Sequence, residues 1–287
     1  MKLTNKANLP EPIVNAVMND GYSNGGAGYS VTTLLKPPRV VALERKHAEE
    51  ITEDVSDRIW SLLGQVVHGI LERADKSGVA ERRLSMEVGG VTVSGQMDRW
   101  VDGCLQDYKL TSVWKLVKGD LDEWEQQLNL YAVLLRHHGH VINKLEIVAI
   151  LRDWSKRDAE KDPAYPQAQV VNVAINLWPA ERAEAFLRQR VEMHEAATKE
   201  LPLCSARDRW ASDPVYAVMK EGRKTAVKLY ATQAEADAHV GFDKSLKVVC
   251  RPGEDRRCRD YCRVNKFCSQ YQESLASAGN DRPGDAA

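Results

Sequence analysis

The stretch SGQMDRWVDGCLQDYKLTS, residues 94–112, restricts the fold more than any other part of the chain. Asp102-Gly103 is a pair suited to a two-residue type I′ hairpin turn, whose central residues both need positive φ. Closing there pairs Val101 with Cys104, and sets Asp98 opposite Asp107 and Gln96 opposite Lys109. Opposed residues share a sheet face with Cβ atoms roughly 4.5–5.5 Å apart. Two carboxylates and a lysine are therefore expected on one face of one hairpin. Like charges opposed across a strand pair repel, so the arrangement calls for a counter-charge. A divalent cation with hard oxygen ligands, Mg²⁺ or Mn²⁺, supplies one. Lys109 is placed to hold a water or a phosphate oxygen. The bland alternative is a solvated hairpin face with its own ion pair.

The surrounding pattern builds an α/β frame. Residues 54 to about 74 read as a helix, with Ile59, Leu62, Leu63, Val66, Val67, Ile70 and Leu71 in a broad apolar stripe. Along it Trp60, Gly64, His68 and Glu72 recur at i+4 and form one line, which puts an imidazole, a common metal ligand, about thirty residues before the carboxylates. Strands are expected over 82–88 and 91–101, joined at Gly89-Gly90, and over 104–110; Glu87 is at most a supporting residue. Trp124, Leu128, Tyr131 and Leu135 mark an amphipathic helix on which Gln127 and Tyr131 share a face. Strands over 144–151 and 169–177 and a helix from 179 to about 199 complete the frame, with Pro179 in a first-turn position. Beyond Leu201 the pattern breaks into strand pieces at 215–219 and 225–230 and a small helix at 233–240. The partition expected is an irregular lead-in over 1–28, a core over 29–200, a C-terminal lobe over 201–272 and a disordered tail over 273–287.

A chain of 287 residues, 43% hydrophobic and 28% charged, has room for a core of one large or two small domains. The apolar runs at 130–135 and 147–151 are too short to cross a bilayer. MKLTNKANLPEP lacks a signal-peptide stretch, so a cytoplasmic protein is expected. With 40 basic against 41 acidic side chains, a wholly cationic surface is excluded but a local basic channel is not. From Lys244 to Lys266 eight Lys or Arg stand against three acids, a run that could follow a nucleic-acid backbone, with Trp210, Tyr261 and Phe267 as stacking candidates.

Six cysteines in a reducing compartment point to thiols or metal ligands rather than disulfides. Cys258, Cys262 and Cys268 form a close trio. A fourth ligand must come from elsewhere, with Cys204 the natural candidate and Cys250 its competitor. Four thiolates suit zinc or an iron–sulfur cluster, and spacing alone does not decide.

Gly64 to His68 (Gly-x-x-x-His), Met97-Asp98, Asp107-Tyr108-Lys109 and Gln127 to Tyr131 (Gln-x-x-x-Tyr), in this order, resemble the PD-(D/E)XK nuclease superfamily, most closely its RecB-like exonucleases. The likeness covers roughly residues 28–200. Met97 stands where the pattern has proline, and Asp107 is the shorter of the two permitted acids. The resemblance implies a restriction-endonuclease-like mixed sheet flanked by helices, with a C-terminal cysteine-ligated metal-cluster lobe. It implies His68, Asp98, Asp107 and the Tyr108 carbonyl as ligands to one or two Mg²⁺ or Mn²⁺ ions. Lys109 would orient the attacking water, and Gln127 and Tyr131 would position DNA or support the site. RecB-like exonucleases with a distant cysteine and a C-terminal trio, CRISPR-associated and AddB-type members among them, hold a [4Fe–4S] cluster, which favours that cluster on Cys204, Cys258, Cys262 and Cys268 over zinc.

The expected function is a metal-dependent exonuclease acting on single-stranded DNA or duplex ends in recombination, repair or replication, with any helicase or recombination partner on another chain and no membrane involved. The alternative is a catalytically silent nucleic-acid-binding module with a structural metal cluster. A glycosidase acid/base pair leaves Lys109, His68 and the cysteines without a role.

Overall fold

The computed structural model describes residues 2–19, 25–76 and 79–280. The chain divides into two compact units, Met1–Val41 with Thr52–Glu200, and Ala42–Ile51 with Leu201–Ala287. The sequence partition kept 42–51 with the core. The segment belongs to the C-terminal unit because His47 stacks on Phe267 at 4.1 Å between ring centroids and Glu44 pairs with Arg263 at 2.9 Å.

Unit 1 begins with β1 (Lys2–Thr4), α1 (Glu11–Met18), β2 (Tyr29–Ser30), α2 (Val31–Leu35) and the start of α3 (Pro38–Lys46). Among the described residues of the expected irregular lead-in, 2–4 form a strand and 11–18 a helix. Pro12 and Glu11 sit in the first turn of α1, where a missing N–H and a negative charge are both favourable. β1 pairs in parallel with β3 (Thr52–Asp54). A 3₁₀ turn capped by Asp54 leads into α4 (Ile59–Ala74).

β4 (Val79–Val88) and β5 (Val91–Val101) meet at Gly89-Gly90, with φ of +59° and +81°. β6 (Cys104–Thr111) follows Asp102-Gly103, whose φ values of +49° and +80° are those of the expected turn. Then come α5 (Val113–Lys118), α6 (Asp122–His137), β7 (Lys144–Leu151), α7 (Lys156–Lys161), β8 (Val170–Ile175) and α8 (Ala180–Ala197), for which Pro179 is the N-cap rather than a first-turn residue. The sheet is mixed and six-stranded, in the order β2-β5-β6-β7-β8 with β4 on the other edge of β5. β6 and β7 run parallel, and β7 and β8 antiparallel.

Helix α6 lies across strands β4 to β8 and under α2 and α8. It is apolar on nearly every side, with Leu128, Leu130, Leu134 and Leu135 buried against Leu145, Ile147 and Leu151. Its one fully buried polar residue, Asn129, donates to the carbonyls of Glu125 and Asn176 at 2.8 and 2.9 Å and accepts from the Trp178 amide at 2.8 Å. A satisfied amide in that position fixes the helix along its axis as well as against the sheet. In contrast, every residue of α4 is at least partly exposed.

Unit 2 contains α9 (Ala206–Arg209), β9 (Val215–Lys220), β10 (Lys228–Tyr230), α10 (Gln233–Val240), β11 (Leu246–Arg251), α11 (Arg256–Asp260) and α12 (Ser269–Asn280). Its three strands form an antiparallel sheet in the order β10-β9-β11, with α10 packed on it. Arg209 holds Asp255 through both carboxylate oxygens at 2.6 Å. Helix α12 carries the chain through most of the expected disordered tail, and 281–287 lie outside the described residues. Among the described residues no helix is long and apolar enough to cross a membrane.

Candidate active site

The β5–β6 hairpin closes in the expected register but does not stay closed. Val101 pairs with Cys104, Trp100 with Leu105 and Arg99 with Gln106, and the ladder ends there. Farther along the same edge, Val93 and Ser94 of β5 pair with β2 instead. Asp98 and Asp107 are therefore not ladder partners, nor are Gln96 and Lys109. The reason is local: the Tyr108 amide, which a continued ladder would send to a β5 carbonyl, donates to Asp98 Oδ2 at 2.6 Å. One aspartate side chain thus wedges the strands apart, and the opening is where the acidic residues gather.

Helix α4 packs over β6 and brings His68 Nδ1 to 3.3 Å from Asp98 Oδ1. The same imidazole meets the Tyr108 ring edge-on at 6.3 Å. Lys109 Nζ lies 2.7 Å from Asp107 Oδ2. From α6, Gln127 Nε2 donates to Asp107 Oδ1 and to the Tyr131 hydroxyl, both at 3.3 Å. His68, Asp98, Asp107, Lys109, Gln127 and Tyr131, drawn from α4, β5, β6 and α6, are thus brought into one constellation. Trp60 and Glu72, on the same helical line as His68, stay outside it: Trp60 is exposed with the Arg152 guanidinium over its ring at 4.1 Å. Glu87 is also outside, exposed and accepting a hydrogen bond from Thr92.

Asp107 and Asp98 are both buried. Burial pushes the Asp107 carboxyl up from the ordinary aspartate value, and the nearby Asp98 charge adds to this, while Lys109 and His68 oppose it. Lys109 is itself held above the usual lysine range: its burial works against the charge, but Asp107 and Asp98 outweigh that. Apart from the ion pair with Lys109, Asp107 Oδ2 is buried without a hydrogen-bond partner. A buried carboxylate oxygen left in this state is costly unless positive charge meets it. Two carboxylates and an imidazole are the donor types that Mg²⁺ or Mn²⁺ accepts, so these residues fit such an ion chemically. Their side chains are not converged on a point: among the described residues no three His, Cys, Asp or Glu stand together in a metal-holding geometry.

The cysteine set lies in unit 2. Cys258 is pushed up to about 11, first by burial and then by Asp255, Cys262 and Cys268. Cys262 is also raised by burial, against which a hydrogen bond from the Val264 amide acts. Cys204 is anchored to the trio's end of the chain: its amide donates to Gln270 Oε1 at 2.8 Å and its carbonyl accepts from Gln270 Nε2 at 2.9 Å. Cys250, by contrast, is exposed on β11 opposite Tyr216. Cys262 and Cys268 both lie close enough to Cys258 to disfavour its ionisation, and with an amide aimed at the Cys262 sulfur the trio fits a thiolate-ligated group. As with the carboxylates, the side chains are not drawn into ligand geometry.

Two contributors are absent from the sequence reading. Glu123 is close enough to help hold Lys109 charged, and its signal was present, since Glu123, Gln127 and Tyr131 follow one another at i+4. Gly95 is the other: a Cβ there would come within 2.7 Å of Tyr131 Cε1 and 2.8 Å of Leu134 Cδ1. Its signal, a glycine inside a strand, marks close approach by another element. A cleft of about 650 Å³ lined by Asp122, Glu125, Trp178 and Arg182 holds none of the constellation.

No family model matches the chain and no curated protein does. Among solved structures, it resembles the crystal structure of SSO0001 with a TM-score of 0.44 and 17% identity, over 63% of this chain and 84% of that one. It also resembles a protein from Eubacterium rectale described as a putative exonuclease, with a TM-score of 0.32 and 13% identity, over 56% of this chain and 62% of that one.

Proposed function

We propose that the chain is a metal-dependent deoxyribonuclease of RecB-like type, an exonuclease acting on single-stranded DNA or duplex ends. The observation that carries this reading is the opened edge between β5 and β6, where Asp98 takes the Tyr108 amide and buried Asp107 pairs with half-buried Lys109 beside His68. A solvated hairpin face needs no such burial of like charges.

In this reading His68, Asp98, Asp107 and the Tyr108 carbonyl would hold one or two Mg²⁺ or Mn²⁺ ions, which would supply an activated water and shield developing charge on the phosphate. Lys109 orients the attacking water and donates to the oxyanion that forms. Gln127 keeps Asp107 and Tyr131 aligned from α6. Cys204, Cys258, Cys262 and Cys268 are assigned to a [4Fe–4S] cluster, with zinc as the alternative. Recombination, repair or replication is the setting, with any helicase or recombination partner supplied by another chain.

The test is release of nucleotides from end-labelled single-stranded DNA with Mn²⁺. Lys109→Ala, which removes a charge aimed at the reacting phosphate, is expected to lower the rate at least about 100-fold, with an unchanged circular dichroism spectrum. Full activity of Lys109→Ala in a contaminant-free preparation would overturn the site. Binding without cleavage by the wild type would favour a silent nucleic-acid-binding module.

A further inference from the structure

Unit 2 carries a second charged feature that the catalytic constellation does not use. The β10-β9-β11 sheet is covered by α10 on one face, over buried Val218 and Ala236. An antiparallel sheet can leave its other face in water. A cleft of about 450 Å³ opens at this sheet, lined by Lys220, Arg223, Lys244, Lys247 and Arg251 with Glu221 as its one acid. Lys247, Val249 and Arg251 alternate along β11, so they share the face that lines the cleft. None of the five cations forms an ion pair within the described residues. The nearby Asp243 is occupied by the Ser245 amide and hydroxyl at 2.9 and 2.7 Å.

The feature continues along the chain. β9 and β11 pair from Lys220 with Leu246 to Val215 with Arg251, and a further bridge joins Ala211 to Asp255. Just beyond that bridge Trp210, 45% exposed, adopts the left-handed conformation, with φ of +50°, which bulky residues rarely occupy. Its ring lies 5.1 Å from that of Tyr261, itself 65% exposed. The guanidinium carbons of Arg256 and Arg257 stand 5.5 and 5.6 Å from the indole centroid. At the other end Phe242 is fully exposed, two residues before Lys244.

We propose that this cleft of unit 2, together with the aromatic pair beyond the bridge, binds single-stranded nucleic acid. Phosphates lie along Lys247 and Arg251, and bases stack on Trp210 and Tyr261. Unpaired cations in a groove supply the sequence-independent attraction to a phosphate backbone. Exposed aromatic faces select strands whose bases are unstacked, because a duplex offers no free base face. The inference rests on the nuclease reading only for its setting, since binding needs neither Lys109 nor a divalent ion.

The test is anisotropy of a fluorescent oligo-dT in EDTA, across a salt series, on the full chain. Lys247→Glu/Arg251→Glu is expected to weaken binding more than tenfold and to reduce the salt slope by about two. Trp210→Ala is expected to weaken it about tenfold with the slope unchanged. If that variant unfolds, Tyr261→Ala reads the same contribution. Lys156→Glu, at an exposed lysine of α7 outside the cleft, is expected to bind like the wild type. Unchanged affinity in the charge-reversal variant would overturn the track, even where the wild type cleaves DNA. Equal affinity for a duplex of the same length would overturn its single-strand character. If the wild type binds but never cleaves, the track stands and the nuclease reading falls.

Discussion

Asp54 and Asp107 show how one residue type is driven in opposite directions by its surroundings. Asp54 accepts from the Lys6 amide at 2.8 Å, the Ser56 hydroxyl at 2.7 Å, the Thr4 hydroxyl at 2.7 Å and the Ser56 amide at 3.1 Å. These bonds, the Lys6 amide foremost, hold its carboxyl well below the usual aspartate range. Asp107 is buried with far fewer donors and is pushed up. A depressed carboxylate contributes stability above its unfolded pKa of about 3.9, and that stability is lost as pH falls through the folded value. Asp54 also ties β1 to the turn that starts α4, the helix carrying His68. Asp54→Asn is therefore expected to lower the melting temperature at pH 7. Below about pH 3 the gap from the wild type should narrow, because the unfolded wild-type chain then takes up a proton that the folded carboxylate does not hold. Thermal melts by circular dichroism at pH 7 and pH 2.5 check it, and an equal gap at both values would remove the charge from the account.

Among the elements, α6 holds Gln127 and Tyr131 of the constellation, and Gly95 is what lets it approach. With Tyr131 and Leu134 packed on the Gly95 Cα, a methyl group there would press against both. Inserting a methylene into such a packed contact costs typically about 1–3 kcal/mol. Gly95→Ala is thus expected to destabilise by about that amount and to reduce cleavage by displacing Gln127 and Tyr131. Chemical denaturation and the end-label assay measure the two effects, and a variant as stable and active as the wild type would show that the helix has slack. The same contact marks what was legible in the sequence. β5, β7 and α10 have the expected bounds because alternation, the two glycine turns and a threonine cap are local signals. The opening of the hairpin was not legible, because it depends on Asp98 outcompeting a carbonyl for one amide. Helix α5 was missed for a similar reason: Asp153, about forty residues away in sequence, accepts from Ser112 and the Val113 amide and so anchors its start. The constellation itself was legible as residue types, and only the fold brings Gln127 to Asp107.

At the scale of the whole molecule, the two units are stabilised by different means. Unit 1 has one continuous core around α6 and the six-stranded sheet. Unit 2 buries few large side chains: among its described residues the buried apolar ones are Leu43, Ile51, Ala217, Val218, Ala236, Val264 and Cys268. A lobe of that size with so small a core ordinarily needs a staple, and in the proposed reading Cys204, whose backbone Gln270 ties to the trio's end of the chain, and Cys258, Cys262 and Cys268 would provide it through a metal group. Metal binding by thiolates releases protons and adds folding free energy, on the order of 10 kcal/mol in small zinc modules. The double variant Cys258→Ser/Cys262→Ser, prepared without oxygen, is therefore expected to lose bound iron or zinc by elemental analysis. Hydrogen-exchange protection over 201–280 should fall with it, while β5, β6, β7 and α6 stay protected, because their core contains none of the four cysteines. Iron content would distinguish the cluster from zinc. Protection over 201–280 equal to that of the wild type, with no metal in either protein, would mean that the Arg209–Asp255 pair and the aromatic contacts hold unit 2 by themselves.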